Sequence, residues 1–274
     1  MEFPSFSVAI SVYKSDDALF FDRALESVTI KQTIMPDEIV LVVDGPVSGE
    51  IDDVIDKYSL ICAMKVIRLK ENGGLGNALR IATENSSYSM IARMDSDDIS
   101  VPDRFEQQLR FFLQNKDVDI VGGNIAEFIG EETNIVATRS VPTSNGAIRE
   151  YMKRRCAMNH VSVMFKKNAV MQAGGYLDWF HNEDYYLWIR MWLNNTVFAN
   201  TGTNLVNVRV GEDMYARRGG LKYYKSEKKL QKFMLQNRII GFPTYFVNVA
   251  KRFIVQVLLP NRLRGWVFKK LARS

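Results

Sequence analysis

From residue 7 to residue 122, apolar runs of strand length alternate with segments of helical periodicity. This alternation constrains the fold more than any other feature of the chain. Residues 7–13, 38–43, 65–69, 88–94 and 118–122 read as strands, and residues 18–32, 51–58, 76–84 and 102–114 read as helices. In the last of these, Phe105, Leu109, Phe112 and Leu113 fall on one face. Such a rhythm implies an α/β fold, with a mostly parallel central sheet flanked by helices. In these folds ligands sit outside the carboxyl ends of the strands, so the strand ends are where chemistry is expected.

The most acidic strand end is Ala92-Arg93-Met94-Asp95-Ser96-Asp97-Asp98, with three carboxylates in four residues after an apolar run. Crowded carboxylates repel one another unless a cation or hydrogen bonds offset the repulsion. A hard divalent ion suits them, because Mg²⁺ takes oxygen ligands and leaves positions open for substrate phosphates. The same residues also suit an Asx turn and a cap for the helix opened by Pro102.

Two other strand ends are informative. Asp44-Gly45-Pro46 closes the second strand, where a carboxylate can accept from a base or ribose, or simply form a turn. After the third strand, Asn72-Gly73-Gly74-Leu75-Gly76-Asn77 leads into a helix, so its backbone amides can approach an anion. It is neither a Walker A loop nor a full dinucleotide fingerprint. Further on, Glu183 and Asp184 stand at a helix start behind Trp179 and Phe180. The helix dipole favours acids there, and a carboxylate among aromatics can also serve as a general base. Neighbouring residues on a helix point in different directions, and Asp184 is the one chosen here to face the substrate.

Charge is segregated along the chain. Residues 1–210 carry 21 Lys+Arg against 28 Asp+Glu, whereas residues 211–274 carry 15 against 3. The second segment has an uncharged run at 239–250, interrupted by Lys251-Arg252. That is too broken for a spanning helix, which needs about 20 apolar residues. Phe242, Tyr245, Phe246, Phe253, Leu258, Leu259, Trp266 and Phe268 interleave with basic residues, the pattern of a segment lying on an anionic membrane surface. A basic tail packed on its own domain is the alternative. The expected organisation is a domain at 1–210 and a basic, amphipathic, helical tail at 211–274. Cys62 and Cys156 have no metal-ligand spacing and read as buried thiols of a reducing compartment. The start of the chain lacks the pattern of a secretory signal, so a cytoplasmic protein is expected.

Taken in order over residues 6–208, these pieces resemble the family 2 inverting glycosyltransferases of the GT-A fold, particularly bacterial enzymes of O-antigen, capsule and exopolysaccharide synthesis. The resemblance rests on Val8-Ala9-Ile10-Ser11-Val12-Tyr13, residues 39–44, Asn72-Gly73-Gly74-Leu75-Gly76-Asn77-Ala78-Leu79, the 92–98 acidic segment, Pro102-Asp103-Arg104-Phe105 and Glu183-Asp184. It implies that Asp44 contacts the uracil of a UDP-sugar and that Gly73, Gly74, Gly76 and Arg80 line the nucleotide. Asp95 and Asp97 would approach the nucleotide, and Asp97 with Asp98 would hold Mn²⁺ or Mg²⁺. Asp184 would be the catalytic base, with His160 and Glu183 on the acceptor side; His160 is equally readable as a hydrogen-bonded structural histidine.

The implied reaction moves a hexose to a hydroxyl of a polyprenyl-diphosphate-linked saccharide at the inner face of the bacterial inner membrane. A β-1,3-galactosyl or glucosyl transfer is the favoured form. A retaining or other nucleotide-sugar transferase, and a polyanion-binding protein without enzyme activity, are the alternatives. The aliphatic content of the tail argues against nucleic acid as the partner.

Overall fold

The computed structural model describes residues 3–211 and 219–259. In chain order the elements begin with β1 (Phe6–Val12), α1 (Ala18–Val28), β2 (Glu38–Val43), α2 (Gly49–Ser59), β3 (Met64–Arg68), α3 (Leu75–Asn85) and β4 (Met90–Arg93). All six residues of β2 are buried, as its apolar run from Ile39 to Val43 requires for a strand covered on both faces, while the carboxylate of Glu38 is satisfied by the hydroxyls of Ser7 at 2.7 Å and Ser87 at 2.8 Å. Alternate side chains of β1 and β2 enter opposite layers. Val8, Ile10, Ile39 and Leu41 join Phe21 and Leu25 of α1 and Ile51 and Ile55 of α2. Ala9, Val40 and Val42 meet Ala78, Leu79 and Ala82 of α3 on the other side.

The expected helix at 18–32 ends at Val28. Thr29 folds its hydroxyl back to the Leu25 carbonyl at 2.6 Å, and Gln32 donates to the carbonyls of Ser27 and Val101, both at 2.7 Å. These side-chain bonds offer the backbone an alternative to another helical turn.

The chain continues through β5 (Ile99–Ser100), α4 (Arg104–Gln114), β6 (Ile120–Phe128), β7 (Ile135–Arg139), α5 (Asn145–Met152), a 3₁₀ turn at His160–Ser162, β8 (Met164–Lys166), α6 (Lys167–Gln172), α7 (Glu183–Leu193) and β9 (Phe198–Arg209). The strands form one sheet in the order β3-β2-β1-β4-β8-β6-β9-β5, with β7 also paired to β6. The first four are parallel. Beyond β4 the sheet is mixed: β8 runs antiparallel to β4 and β6, while β9 runs parallel to β6. The parallel half follows from the strand-helix rhythm. The antiparallel pairs involve the strands that follow once that rhythm lapses, and they include the β6–β7 hairpin, whose connection contains Gly130 at φ +71°.

The basic segment is helical over α8 (Leu221–Gln236) and α9 (Phe242–Phe253). Leu230 and Met234 of α8 are fully buried in the layer that holds Trp188 and Leu187 of α7. Asn248 of α9 donates to the Lys153 carbonyl at 2.9 Å and to Gln231 at 2.8 Å, and Arg252 pairs with Glu227. Phe242, Phe246 and Val247 of α9 remain exposed. Packing on the body and an outward apolar face therefore coexist in one segment. Trp266 and Phe268 lie outside the described residues. Among the described residues no helix is long and apolar enough to cross a membrane.

Candidate active site

The site is assembled from the carboxyl ends of β1, β2 and β4, the loop before α3 and the start of α7. At the end of β2, Asp44 is buried and accepts hydrogen bonds from the Gly73 amide at 2.7 Å and the Gly74 amide at 2.9 Å. The Asp44 carbonyl accepts from the Asn72 side chain at 3.2 Å. One carboxylate thus shapes the glycine loop while retaining lone pairs for a further donor. The glycines are needed sterically: Gly74 has φ +84°, and a Cβ on Gly45, at φ +88°, would stand 2.9 Å from the Asn72 amide nitrogen. Arg80 lies on α3 with its guanidinium held by Glu84 at 2.8 Å and Asn77 at 2.9 Å.

At the end of β4 the three acids of the 95–98 turn have different partners. Arg93, itself buried, grips Asp95 through both terminal nitrogens. Asp98 is buried and accepts from the Arg209 amide at 2.8 Å. Burial, then Asp95 and Asp97, hold its carboxyl well above the usual range. Asp97 is pushed up to about 6 by burial, with Asp95 and Asp16 adding repulsion. This is the unfavourable crowding expected of the sequence, and it marks carboxylates that a cation would stabilise.

Among the described residues no three His, Cys, Asp or Glu side chains come together as a ligand set. The residues fit a hard divalent ion only in the form where Asp97 and Asp98 supply one or two oxygens and substrate phosphates supply others. Asp95 fits that role less well, because both its oxygens already face Arg93.

Across the mouth of the sheet, α7 presents Glu183 and Asp184, both half-buried. A Cβ on Gly76 would lie 3.5 Å from the Glu183 Cβ, so the glycine loop and the start of α7 are in contact distance. Burial pushes Glu183 up to about 7, with the Asp184 charge next in importance and Asp95 contributing. The field of Asp184 reaches Tyr176, Cys156 and Tyr185. His160 shares a 2.9 Å hydrogen bond with the Tyr176 hydroxyl and lies edge-on to Trp188. Burial and Arg93 hold the imidazole well below its ordinary value, so it is neutral near pH 7. Cys62 and Cys156 are free and only half-buried.

Several residues were not picked out as site residues from the sequence. Asp16, in the loop after β1, accepts from the Ser96 hydroxyl at 2.7 Å and the Tyr13 amide at 3.1 Å, and burial raises its pKa. Arg104 is wholly buried beneath the acidic turn and donates to the Arg93 carbonyl at 2.7 Å. Burial, then the neighbouring Arg93, pushes its guanidinium down to about 9. Arg209 brackets the turn, bonding the Asp97 carbonyl at 3.2 Å and lying 3.8 Å over the Phe20 ring. Arg104 had a signal in the Pro-Asp-Arg-Phe stretch. Asp16 and Arg209 had none, since their partners are 80 and 111 residues away.

The chain is 39% identical over 269 residues to an uncharacterized glycosyltransferase of Haemophilus influenzae, covering 98% of this chain and 99% of that one. It is 36% identical over 270 residues to the Escherichia coli UDP-Gal:alpha-D-GlcNAc-diphosphoundecaprenol beta-1,3-galactosyltransferase, covering 98% and 97%. It is 36% identical to the amylovoran biosynthesis glycosyltransferase AmsE of Erwinia amylovora, covering 97% and 98%. Among solved structures, S. aureus TarS 1-349 in complex with UDP-GlcNAc superposes with a TM-score of 0.69 at 15% identity over 96% of this chain and 78% of that one, a likeness in the GT-A-like fold. The Glycosyl transferase family 2 profile matches residues 7–176. The protein belongs to glycosyl transferase family 2, and it is a glycosyltransferase.

Proposed function

We propose that the enzyme transfers galactose, or glucose, from its UDP-sugar to the 3-hydroxyl of a lipid-linked N-acetylhexosamine diphosphate, with inversion, in bacterial surface polysaccharide synthesis. The observation that carries the reaction type is the convergence of the Asp95–Asp98 turn, the Asp44-braced glycine loop and the Glu183-Asp184 pair on one mouth of the sheet. The substrate class is supported by the E. coli galactosyltransferase, similar along 98% of this chain.

In this reading the Gly73–Gly76 loop and Asp44 hold the nucleotide, and Asp97 and Asp98 would hold Mn²⁺ or Mg²⁺ against the donor's diphosphate. When bound, such an ion offsets the charge that develops on departing UDP. Asp184 removes the proton of the acceptor hydroxyl. The freed oxygen pair forms the new bond to the anomeric carbon as the bond to UDP breaks on the opposite face, so an α-linked donor gives a β-linked product. Glu183, raised to about 7, carries a proton for much of the time and spares Asp184 a second negative charge beside it. Neutral His160, fixed by Tyr176, supplies a hydrogen-bonding group on the acceptor side.

The outward face of α9 carries Phe242, Phe246 and Val247, with Ile254 and Leu258 exposed just beyond. With Lys251 exposed on the same helix, this is the composition of a surface that rests on an anionic bilayer, and it supports a peripheral position at the inner face of the inner membrane. Calorimetric titration of UDP with Mn²⁺, with Mg²⁺ and with EDTA tests the donor site. NMR of the product from UDP-galactose and a lipid-linked N-acetylglucosamine acceptor tests the stereochemistry. Absence of UDP binding in every condition, or an α-linked product, would overturn the proposal.

A further inference from the structure

A cleft of about 280 Å³ opens between the segment leading into α7 and the first turns of α8. Trp179 and Phe180 form its aromatic wall, and Lys222, Lys225 and Lys229 line the facing side. These lysines are three and four residues apart and so share one face of α8. All three are exposed, and none of them makes an ion pair among the described residues. Among the described residues their only acidic companion in the cleft is Asp178, which leaves that lining with an excess of two positive charges, three minus one.

The aromatic wall orients two of the ammonium groups. Lys222 Nζ lies 4.0 Å from the centre of the Phe180 ring, and Lys229 Nζ lies 4.2 Å from that of Trp179. Exposed contacts of this kind are worth only about 0.5–1 kcal/mol, so the N–H donors remain available to an anion. Helix α8 begins after Gly220 with no side-chain cap, and Lys222 belongs to that uncapped first turn, where the helix dipole also favours negative charge.

The cleft is fastened to the catalytic helix. The Ser226 hydroxyl donates to the Phe180 carbonyl at 2.6 Å, and the Asn182 side chain donates to Ser226 Oγ at 3.2 Å. Asn182 immediately precedes Glu183 and Asp184. An anion held by the α8 lysines therefore lies beside the short segment that leads into Glu183 and Asp184.

We propose that this cleft takes the diphosphate of the lipid-linked acceptor. A neutral saccharide gives no reason to gather three ammonium groups that have no ion pair among the described residues, whereas a diphosphate supplies several charged acceptor oxygens for them. The donor's own diphosphate is accounted for by the glycine loop and the acidic turn. The exposed ring of Phe180, backed by the buried Trp179, leaves an apolar surface for the first isoprene unit beside the diphosphate. The inference rests on the lipid-linked acceptor reading given above.

The test titrates the full chain, with UDP and Mn²⁺ already saturating, with farnesyl diphosphate below its micelle concentration and with farnesol as the uncharged control. The variant is K222A/K225A/K229A, whose positions are exposed and outside the core. The wild type is expected to bind farnesyl diphosphate and not farnesol. The triple variant should bind it about tenfold or more weakly, with UDP affinity unchanged. Equal affinity in the variant, or farnesol binding as tightly as the diphosphate, would overturn the assignment and leave the donor reading intact. A variant that keeps farnesyl diphosphate binding but no longer sediments with phosphatidylglycerol vesicles would also overturn it, assigning the lysines to membrane headgroups. Failure of the wild type to bind UDP in the preceding titration would count against the glycosyl-transfer proposal itself.

Discussion

Replacing Asp44 with Asn isolates the brace behind the glycine loop. The side chain keeps its shape, but one oxygen becomes an amide group, so one of the two loop amides at 2.7 and 2.9 Å loses its acceptor and faces a donor. Hydrogen bonds to a charged group contribute roughly 1.5–3 kcal/mol each. Gly73 is exposed and Gly74 half-buried, so water can satisfy part of what is lost, which brings the expected destabilisation to about 2 kcal/mol. Urea unfolding reads this as a lower midpoint at unchanged slope. Calorimetry should show UDP binding weakened in parallel, because the loop no longer holds its shape. A midpoint equal to wild type together with lost UDP affinity would refute the reasoning, since Asp44 would then act on the nucleotide without organising Gly73 and Gly74.

Asp184→Asn should retain UDP binding and lose transfer by a factor of about 10² to 10⁴, the usual range for a general base, as read by single-turnover assay; unchanged turnover would remove Asp184 from that role. Asp98→Ala should weaken UDP binding in Mn²⁺ far more than in EDTA, and equal loss in both would place the ion elsewhere. Because the folded pKa of Glu183 is raised from 4.5 to about 7, its contribution to stability is fully present below the unfolded value and is lost as pH rises through about 7. Glu183→Gln should therefore flatten that fall in melting temperature between pH 4.5 and 7, and an unchanged profile would contradict the shift. Phe242→Ser with Phe246→Ser should release the protein from phosphatidylglycerol vesicles without altering its melting temperature, since both rings are exposed. Deleting the whole basic segment is a poorer test, because it would also remove Leu230 and Met234 from the core.

The period of the apolar pattern was enough to determine the parallel half of the sheet, because a strand covered on both faces reads as a continuous apolar run, as β2 does from Ile39 to Val43. It also located the acidic turn, the glycine loop and the Glu183-Asp184 pair, since each lies at an element boundary that periodicity marks. The docking of the tail was only one of two readings, as nothing local distinguishes a basic helix that packs on its own domain from one that faces a bilayer. Tertiary structure decided that Leu230 and Met234 go inward while Phe242 and Phe246 stay outside. It alone brought Asp16 to Ser96 and Arg209 to Asp98, buried Arg104 under the acidic turn, and set the lysines of α8 against Trp179 and Phe180. Those are contacts between distant residues whose energies depend on burial and mutual distance, and a linear pattern records neither.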